Sequence, residues 1–300
     1  MNALYLVGPT SVGKTEIALR VAARCNAEII GADAFQIYQG LDLLTAKPSM
    51  EERSRIPHHL VDSVPLSQSF NVAQYLDAAT RSTEEIAARG KLPLVVGGTG
   101  LYVRALTRGL SDLPEADAAI RAELEAAPLE DLQARYADLD PTGANLIDTK
   151  NKRRLIRAIE VCLLTGKPFS SFRDEWKTAP AASVGFFLTR DRDDLYERIN
   201  RRVESMFYNE AVIEEVRRAP DIGATAGQVI GLREIQAHLR GEMNERKCIG
   251  RIQQATRRYA KRQLTWFKSE AALFEEVNLT STSDLESLIE RMAQNGRNAG

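Results

Sequence analysis

Near the amino terminus Gly8-Pro9-Thr10-Ser11-Val12-Gly13-Lys14-Thr15 matches GxxxxGK[ST] in full. That spacing is suited to holding phosphate. Glycines let backbone N–H groups close around phosphate oxygens, and a helix starting here adds its partial positive charge. Lys14 can reach the terminal phosphate and Thr15 can ligate Mg²⁺. Such a loop names a polyphosphate, most often ATP or GTP, and leaves the reaction open.

Two further positions bear on the chemistry. Residues 28–32 read as a strand ending at Asp33, and residues 92–96 as another ending in Gly97-Gly98-Thr99-Gly100. In an open parallel sheet ligands lie beyond the carboxyl ends of the strands, so these residues should converge on the glycine loop. Asp33 could bind a metal or accept a proton; the alternative is a cap on the next helix. Thr99 could donate to a phosphate or bridging oxygen, the alternative being a plain turn. The 92–96 strand lacks the closing acid of hydrolytic phosphate-loop proteins, which argues against a switch NTPase.

The remaining reactive residues point nowhere. His58 and His59 have no spaced ligand partner and read as loop or capping residues. Cys25, Cys162 and Cys248 are odd in number and far apart, which excludes a disulfide framework and a CxxC metal site.

The elements that must position this chemistry follow from periodicity. Residues 3–7 are apolar up to Gly8, and residues 15–25 carry Ile17, Ala18, Val21 and Ala22 at helical spacing. A helix over 72–89 separates the next two strands. Strands alternating with helices predict an α/β fold with a parallel sheet covered on both faces. From Ser111 to about Ala182 the pattern is helical and charged, with segments at 117–127, 130–136 and 151–164. We therefore expect a core of residues 1–110 and 182–300 and an inserted helical subdomain over 111–181. Val184 to Leu188 reads as a returning strand, followed by long helices at 193–218 and 250–268. Near the end Ser283 and Glu286 form a capping-box pattern, with Gly296 as a helix stop.

Composition sets the class. Hydrophobic residues are 44% and charged residues 27% of 300, as in a globular chain, and no apolar run is long enough to span a membrane. Without room for a secretory leader before Gly8, the cytoplasm is the expected compartment. The net charge of −1 hides an uneven distribution. Residues 246–268 hold eight Lys or Arg and no acid, and residues 150–167 hold six against Glu160 alone. In the second segment the spacing of Arg153, Arg154 and Arg157 places two or three of them on one helix face, able to meet phosphate oxygens; the alternative is a solvated face.

With these residues in place, the chain resembles tRNA dimethylallyltransferases of the isopentenyltransferase family over essentially its full length. Beyond the glycine loop, the resemblance rests on Ala32-Asp33 with Gln36 and Tyr38, Thr45-Ala46-Lys47-Pro48 and Pro57-His58-His59-Leu60. It continues in residues 96–102, Arg153-Arg154 with Arg157 to Val161, Thr165 to Pro168, and Thr256-Arg257 with Tyr259 to Gln263 and Trp266.

The family resemblance implies a P-loop NTPase-like core that binds dimethylallyl diphosphate rather than ATP, with Mg²⁺ as cofactor. It implies Asp33 as the base for the exocyclic amine of an adenine beside the anticodon, with Lys14, Thr99 and Arg202 stabilising the leaving diphosphate. The adenine would have to be flipped out of its loop. The resemblance puts Asp33, Ala34, Phe35, Gln36, Thr99, Arg121, residues Arg153, Arg154, Leu155, Ile156 and Arg157, and residues Gln228, Val229, Ile230, Gly231, Leu232 and Arg233 near the tRNA anticodon stem-loop. A monomer is expected.

The chain departs from the family pattern at Ala34, usually Ser, at Leu44, usually Gly, and at Leu232, usually Tyr; Tyr208-Asn209-Glu210 lacks a usual Gly. Two rivals remain. An adenylate isopentenyltransferase would not need the basic segments, and a nucleotide-binding switch protein would bind ATP or GTP and ignore dimethylallyl diphosphate.

Overall fold

The computed structural model describes residues 3–175, 185–219 and 221–299. In chain order its elements are β1 (Leu4–Val7), α1 (Lys14–Cys25), β2 (Ala27–Ala32), α2 (Asp42–Thr45), α3 (Met50–Arg55), β3 (His58–His59), α4 (Val72–Ala88), β4 (Leu92–Gly97) and α5 (Gly100–Arg108). Then come α6 (Ala118–Ala126), α7 (Leu129–Leu139), α8 (Pro141–Ala144), α9 (Lys152–Thr165), β5 (Gly185–Thr189), α10 (Arg192–Met206), α11 (Ala211–Arg218), α12 (Leu232–Leu239), α13 (Glu245–Ser269), β6 (Phe274–Asn278) and α14 (Leu285–Ala299). The chain divides into two compact units, residues 1–107 with 179–300, and residues 108–178.

The first unit holds a six-stranded sheet of order β3-β2-β4-β1-β5-β6, with every strand pairing parallel. Each residue of β1 and β2 is buried, as expected for strands covered on both sides. One face packs Ile17, Val21 and Ala22 of α1 with Leu195 and Ile199 of α10 and Ile289 and Met292 of α14. The other packs Tyr75 and Ala79 of α4, Tyr102 and Val103 of α5 and Phe267 of α13. The strand order puts β1 between β4 and β5, so the loops leaving β1, β2 and β4 open on one edge. A third apolar cluster, with Ile37, Leu41, Leu44, Val203, Met206, Val229, Leu232 and Ile252, joins the segment after β2 to the ends of α10, α12 and α13.

Several sequence expectations change. His58 and His59 form an edge strand, and the His59 Nε2 lies 2.7 Å from the buried Glu28 carboxylate, which also accepts from Arg89 and Lys91. Burial pushes the Glu28 pKa up, but the hydrogen bonds from Arg89, His59 and Lys91 outweigh it and hold it at about 2. The helix expected over 193–218 is broken, because Asn209 and Glu210 take left-handed backbone conformations, φ 50° and 56°, between α10 and α11. At the end of the chain Asp284, not Ser283, caps α14 by accepting the Ser287 N–H at 2.9 Å, and Glu286 pairs with Arg20 and Arg24 instead. Gly296 lies inside that helix, against Leu92 and Leu4, where a side chain would collide. Val184 and the boundary expected at 181 and 182 lie outside the described residues.

The second unit is helical. Its core gathers Leu124 of α6, Leu132 and Tyr136 of α7, and Leu155, Ile156, Ile159 and Cys162 of α9. The three cysteines are free and buried.

Candidate active site

The glycine loop sits between β1 and α1, as its spacing requires. The Lys14 ammonium folds back over it, donating to the Gly8 and Pro9 carbonyls at 3.0 and 2.8 Å. Withdrawal from water lowers its pKa to about 8; Asp33 opposes that shift and Arg202 reinforces it. These three groups therefore share one electrostatic environment.

Asp33 follows β2 directly. Its Oδ1 accepts the Phe35 N–H at 2.9 Å and the Gln36 N–H at 3.3 Å, so the carboxylate caps the turn after the strand. No donor among the described residues reaches Oδ2. The capping and chemical readings are thus compatible, since one oxygen fixes the group and the other stays available. Thr99 comes from the turn after β4, and its hydroxyl accepts the Ala34 N–H at 2.9 Å. Arg202 reaches across from α10 and donates to the Thr10 hydroxyl at 2.6 Å. Its buried Nε has no hydrogen-bond partner among the described residues.

A cleft opens beside these groups. Thr10, Asp33, Arg202, Thr256 and Tyr259 supply polar atoms, while Phe35, Leu44, Val203, Met206, Val229, Ile230 and Ile252 form apolar walls. A few convergent polar groups in an apolar cleft are what a site for a small apolar or aromatic group needs. Burial raises the Tyr259 pKa, so its phenol stays protonated.

Sequence reasoning missed Gln263. Its Oε1 accepts the Thr10 N–H and its Nε2 donates to the Gly98 carbonyl, each at 2.9 Å, which ties the glycine loop to the β4 turn. A Cβ at Gly98 would lie 2.3 Å from that amide. The available signal was a polar residue on the apolar stripe of α13, in register with Ala260 and Phe267. Trp266 packs flat against Gly100, where a Cβ would come within 2.2 Å of the indole, so its role is packing.

The other expected contacts divide. Asp33, Ala34, Phe35 and Gln36 lie at the site, and the Gln36 amide donates to the Thr45 and Ala46 carbonyls at 3.1 and 2.9 Å. Val229 and Ile230 line the cleft and Gln228 and Arg233 are exposed. Leu232 is buried at 2% exposure in the third apolar cluster, so its side chain is not offered to a partner. In the helical unit Arg153 and Arg154 are exposed. Leu155 and Ile156, expected to touch RNA, instead pack its core because they face the other side of α9. Arg121 and Arg157 both bind the fully buried Glu160, at 2.9 and 2.6 Å.

The fit for Mg²⁺ rests on sparse protein ligands. Among the described residues no group of three or more His, Cys, Asp or Glu could hold a metal. The Thr15 hydroxyl has no partner among the described residues. An ion that takes most of its oxygens from phosphate and water, as Mg²⁺ does, suits that arrangement.

Comparison with known proteins accords with this geometry. The family model described as IPP transferase matches residues 36–270, more than half of the chain. A tRNA dimethylallyltransferase of Akkermansia muciniphila is 42% identical over 267 residues, covering 89% of this chain and 90% of its own. One from Geobacter sulfurreducens is 43% identical over 285 residues, covering 90% of each. Among solved structures, the full-length tRNA isopentenylpyrophosphate transferase of Bacillus halodurans is similar with TM-score 0.69 and 37% identity, covering 99% of this chain and 96% of that one. A eukaryotic dimethylallyltransferase acting on tRNA is similar with TM-score 0.80 and 25% identity, covering 97% of this chain and 77% of its own. With a matching family model, full-length relatives above 40% identity and a shared fold, the chain belongs to the IPP transferase family.

Proposed function

We infer that this protein transfers a dimethylallyl group from dimethylallyl diphosphate to the exocyclic amine of the adenine 3′ of the anticodon in tRNA, giving N6-dimethylallyladenosine and diphosphate. The observation that carries the reading is the juxtaposition of a fixed carboxylate, Asp33, with a phosphate loop and an apolar-walled cleft. Residues Gly8 to Thr15 hold the diphosphate, and the dimethylallyl group and the flipped adenine share the cleft.

In the reaction the amine nitrogen attacks the allylic carbon while the carbon–oxygen bond to diphosphate breaks, and its electrons leave with that oxygen. Asp33 accepts the amine proton at its unpartnered Oδ2, in the role of a general base. Lys14, held over the loop, and Arg202, anchored on Thr10, face the charge that develops on the leaving diphosphate. Thr99 holds the Ala34 N–H and thereby the backbone that carries Asp33. Thr15 would hold Mg²⁺, which when bound would supply further positive charge at the diphosphate.

Exposed Arg153 and Arg154, with Gln228 and Arg233, are assigned to phosphate contacts that position the tRNA. Among the described residues no helix is long and apolar enough to cross a membrane; we assign the protein to the cytoplasm, acting as a monomer. The test is incubation with radiolabelled dimethylallyl diphosphate and bulk tRNA, alongside AMP and ATP as alternative acceptors. Label entering tRNA alone supports the reading. Label entering AMP or ATP in preference would replace it with a free-nucleotide prenyltransferase.

A further inference from the structure

The glycine loop is gripped from outside by an ordered set of arginines. Arg202 donates to the Thr10 hydroxyl at 2.6 Å, Arg198 to the Ser11 carbonyl at 2.9 Å and Arg190 to the Val12 carbonyl at 2.9 Å. Successive loop residues thus meet successive cations, one following β5 and two a single helical turn apart on α10. Arg202 lines the cleft. Arg190 and Arg198 do not, and the reaction as described gives them no task.

Peptide geometry supplies one. In a planar trans peptide the carbonyl and the following N–H point in opposite directions. Holding the Ser11 carbonyl outward therefore turns the Val12 N–H the other way, and holding the Val12 carbonyl outward does the same for the Gly13 N–H. These donors are nearly uncommitted. Val12 N–H makes only a 3.4 Å contact with the Pro9 carbonyl, and Gly13 N–H has no partner among the described residues. Ser11, between them and Thr10, has φ 63°, a left-handed shape that a residue with a side chain keeps only when its surroundings hold it. Arg190 is itself fixed: its Nη1 donates to Asp194 Oδ2 at 2.8 Å, and the Thr280 hydroxyl donates to the same oxygen at 2.6 Å.

We propose that Arg190 and Arg198 are positioning residues that hold the Ser11 and Val12 carbonyls outward, so that the Val12 and Gly13 N–H groups stay aimed at the diphosphate. The proposal rests on the reading of residues 8–15 as a diphosphate loop. Without either guanidinium a carbonyl is free to turn toward the bound anion, replacing an attractive dipole with a repulsive one.

The probe is inorganic pyrophosphate with Mg²⁺, titrated by calorimetry into the parent protein, Arg190→Ala, Arg198→Ala, Arg198→Lys and Asp194→Asn, with tRNA affinity measured in parallel. The expected result is a tenfold or greater loss of pyrophosphate affinity in each alanine variant, with tRNA affinity within twofold of the parent. Added guanidinium ion should restore part of the loss in Arg198→Ala, a response that a general folding defect would not give. Arg198→Lys, which keeps one donor, and Asp194→Asn, which loosens Arg190 without removing it, should fall between. Pyrophosphate affinity within twofold of the parent in both alanine variants would overturn the proposal. So would a loss confined to tRNA affinity, which would make the exposed side of Arg198 an RNA contact. Failure of the parent protein to bind pyrophosphate would instead overturn the diphosphate reading of the loop, and the proposal with it.

Discussion

The hydroxyl of Thr99 accepts the backbone N–H of Ala34 at 2.9 Å, so the turn after β4 fixes the residue that follows Asp33. Two strand ends thereby act as one support for the carboxylate. Replacing Thr99 with Val leaves that N–H without its acceptor and should cost about 1 kcal/mol of stability. By loosening the backbone beside Asp33 it should also lower the transfer rate about tenfold, which corresponds to about 1.4 kcal/mol of barrier. Thr99→Ser should stay within threefold of the parent. Single-turnover rates and denaturant unfolding of both variants check this, and loss in Thr99→Ser with Thr99→Val unaffected would point to the methyl group instead.

The position of Lys14 makes diphosphate binding sensitive to pH. Its pKa of about 8 in the free protein means the ammonium is lost as pH rises through 8. Pyrophosphate affinity should fall above that point, by up to about tenfold per pH unit if the charge is required for binding. Lys14→Arg, which stays charged, should remove the break. The stability of the ligand-free protein carries the opposite sign. Between pH 8 and the ordinary lysine value of 10.5 the unfolded chain holds a proton that the native one has released, so the Lys14 contribution to stability rises with pH over that window.

The arginines of the helical unit should separate into two kinds. Arg153 and Arg154 are exposed, and neutralising each should lower the log–log salt slope of tRNA binding by about 0.7 to 0.9 without loss of stability. Arg157 is paired with buried Glu160, whose own pKa burial raises and the Arg121 and Arg157 hydrogen bonds lower more strongly. Glu160→Gln should therefore destabilise the protein by about 3 kcal/mol at pH 7, the cost of breaking a buried ion pair. Because the folded pKa is depressed, that difference should shrink as pH falls below the ordinary glutamate value of 4.5. Urea unfolding at the two pH values measures it.

At the break between α10 and α11, Glu210 holds φ 56° with a full side chain. Glu210→Gly removes the steric cost of that conformation, against a smaller entropic loss in a position already left-handed, and should raise stability by about 0.5 to 1 kcal/mol. Asn209→Gly should gain less, since Asn tolerates this region. A fall in unfolding temperature for Glu210→Gly would contradict the account.

What could be read from the sequence was what is local. The glycine loop announces itself by spacing within eight residues, and Asp33 by closing a strand, so both were visible before any tertiary information. Gln263 was not, because its partner Thr10 lies 253 residues away and only the packing of α13 across the sheet brings them together. The same is true of Arg190 and Arg198, whose grip on the loop depends on β5 lying beside β1. The helix over 193–218 reads as continuous because no Gly or Pro interrupts it, and Asn209, the one residue there that favours a left-handed turn, also occurs within helices. For Leu155 and Ile156, the motif gave their neighbourhood but not the face of α9 on which they lie.

The most direct test of the account is single-turnover prenylation by Asp33→Asn with saturating tRNA and dimethylallyl diphosphate, which isolates the chemical step from product release. Asn keeps an oxygen to accept the Phe35 and Gln36 N–H groups, so the turn should persist while the proton acceptor is lost. A rate reduced by roughly 10² to 10⁴, with binding of both substrates little changed, is the predicted result. Transfer within about threefold of the parent rate would contradict it: Asp33 would then only cap the turn after β2, and the base would lie elsewhere.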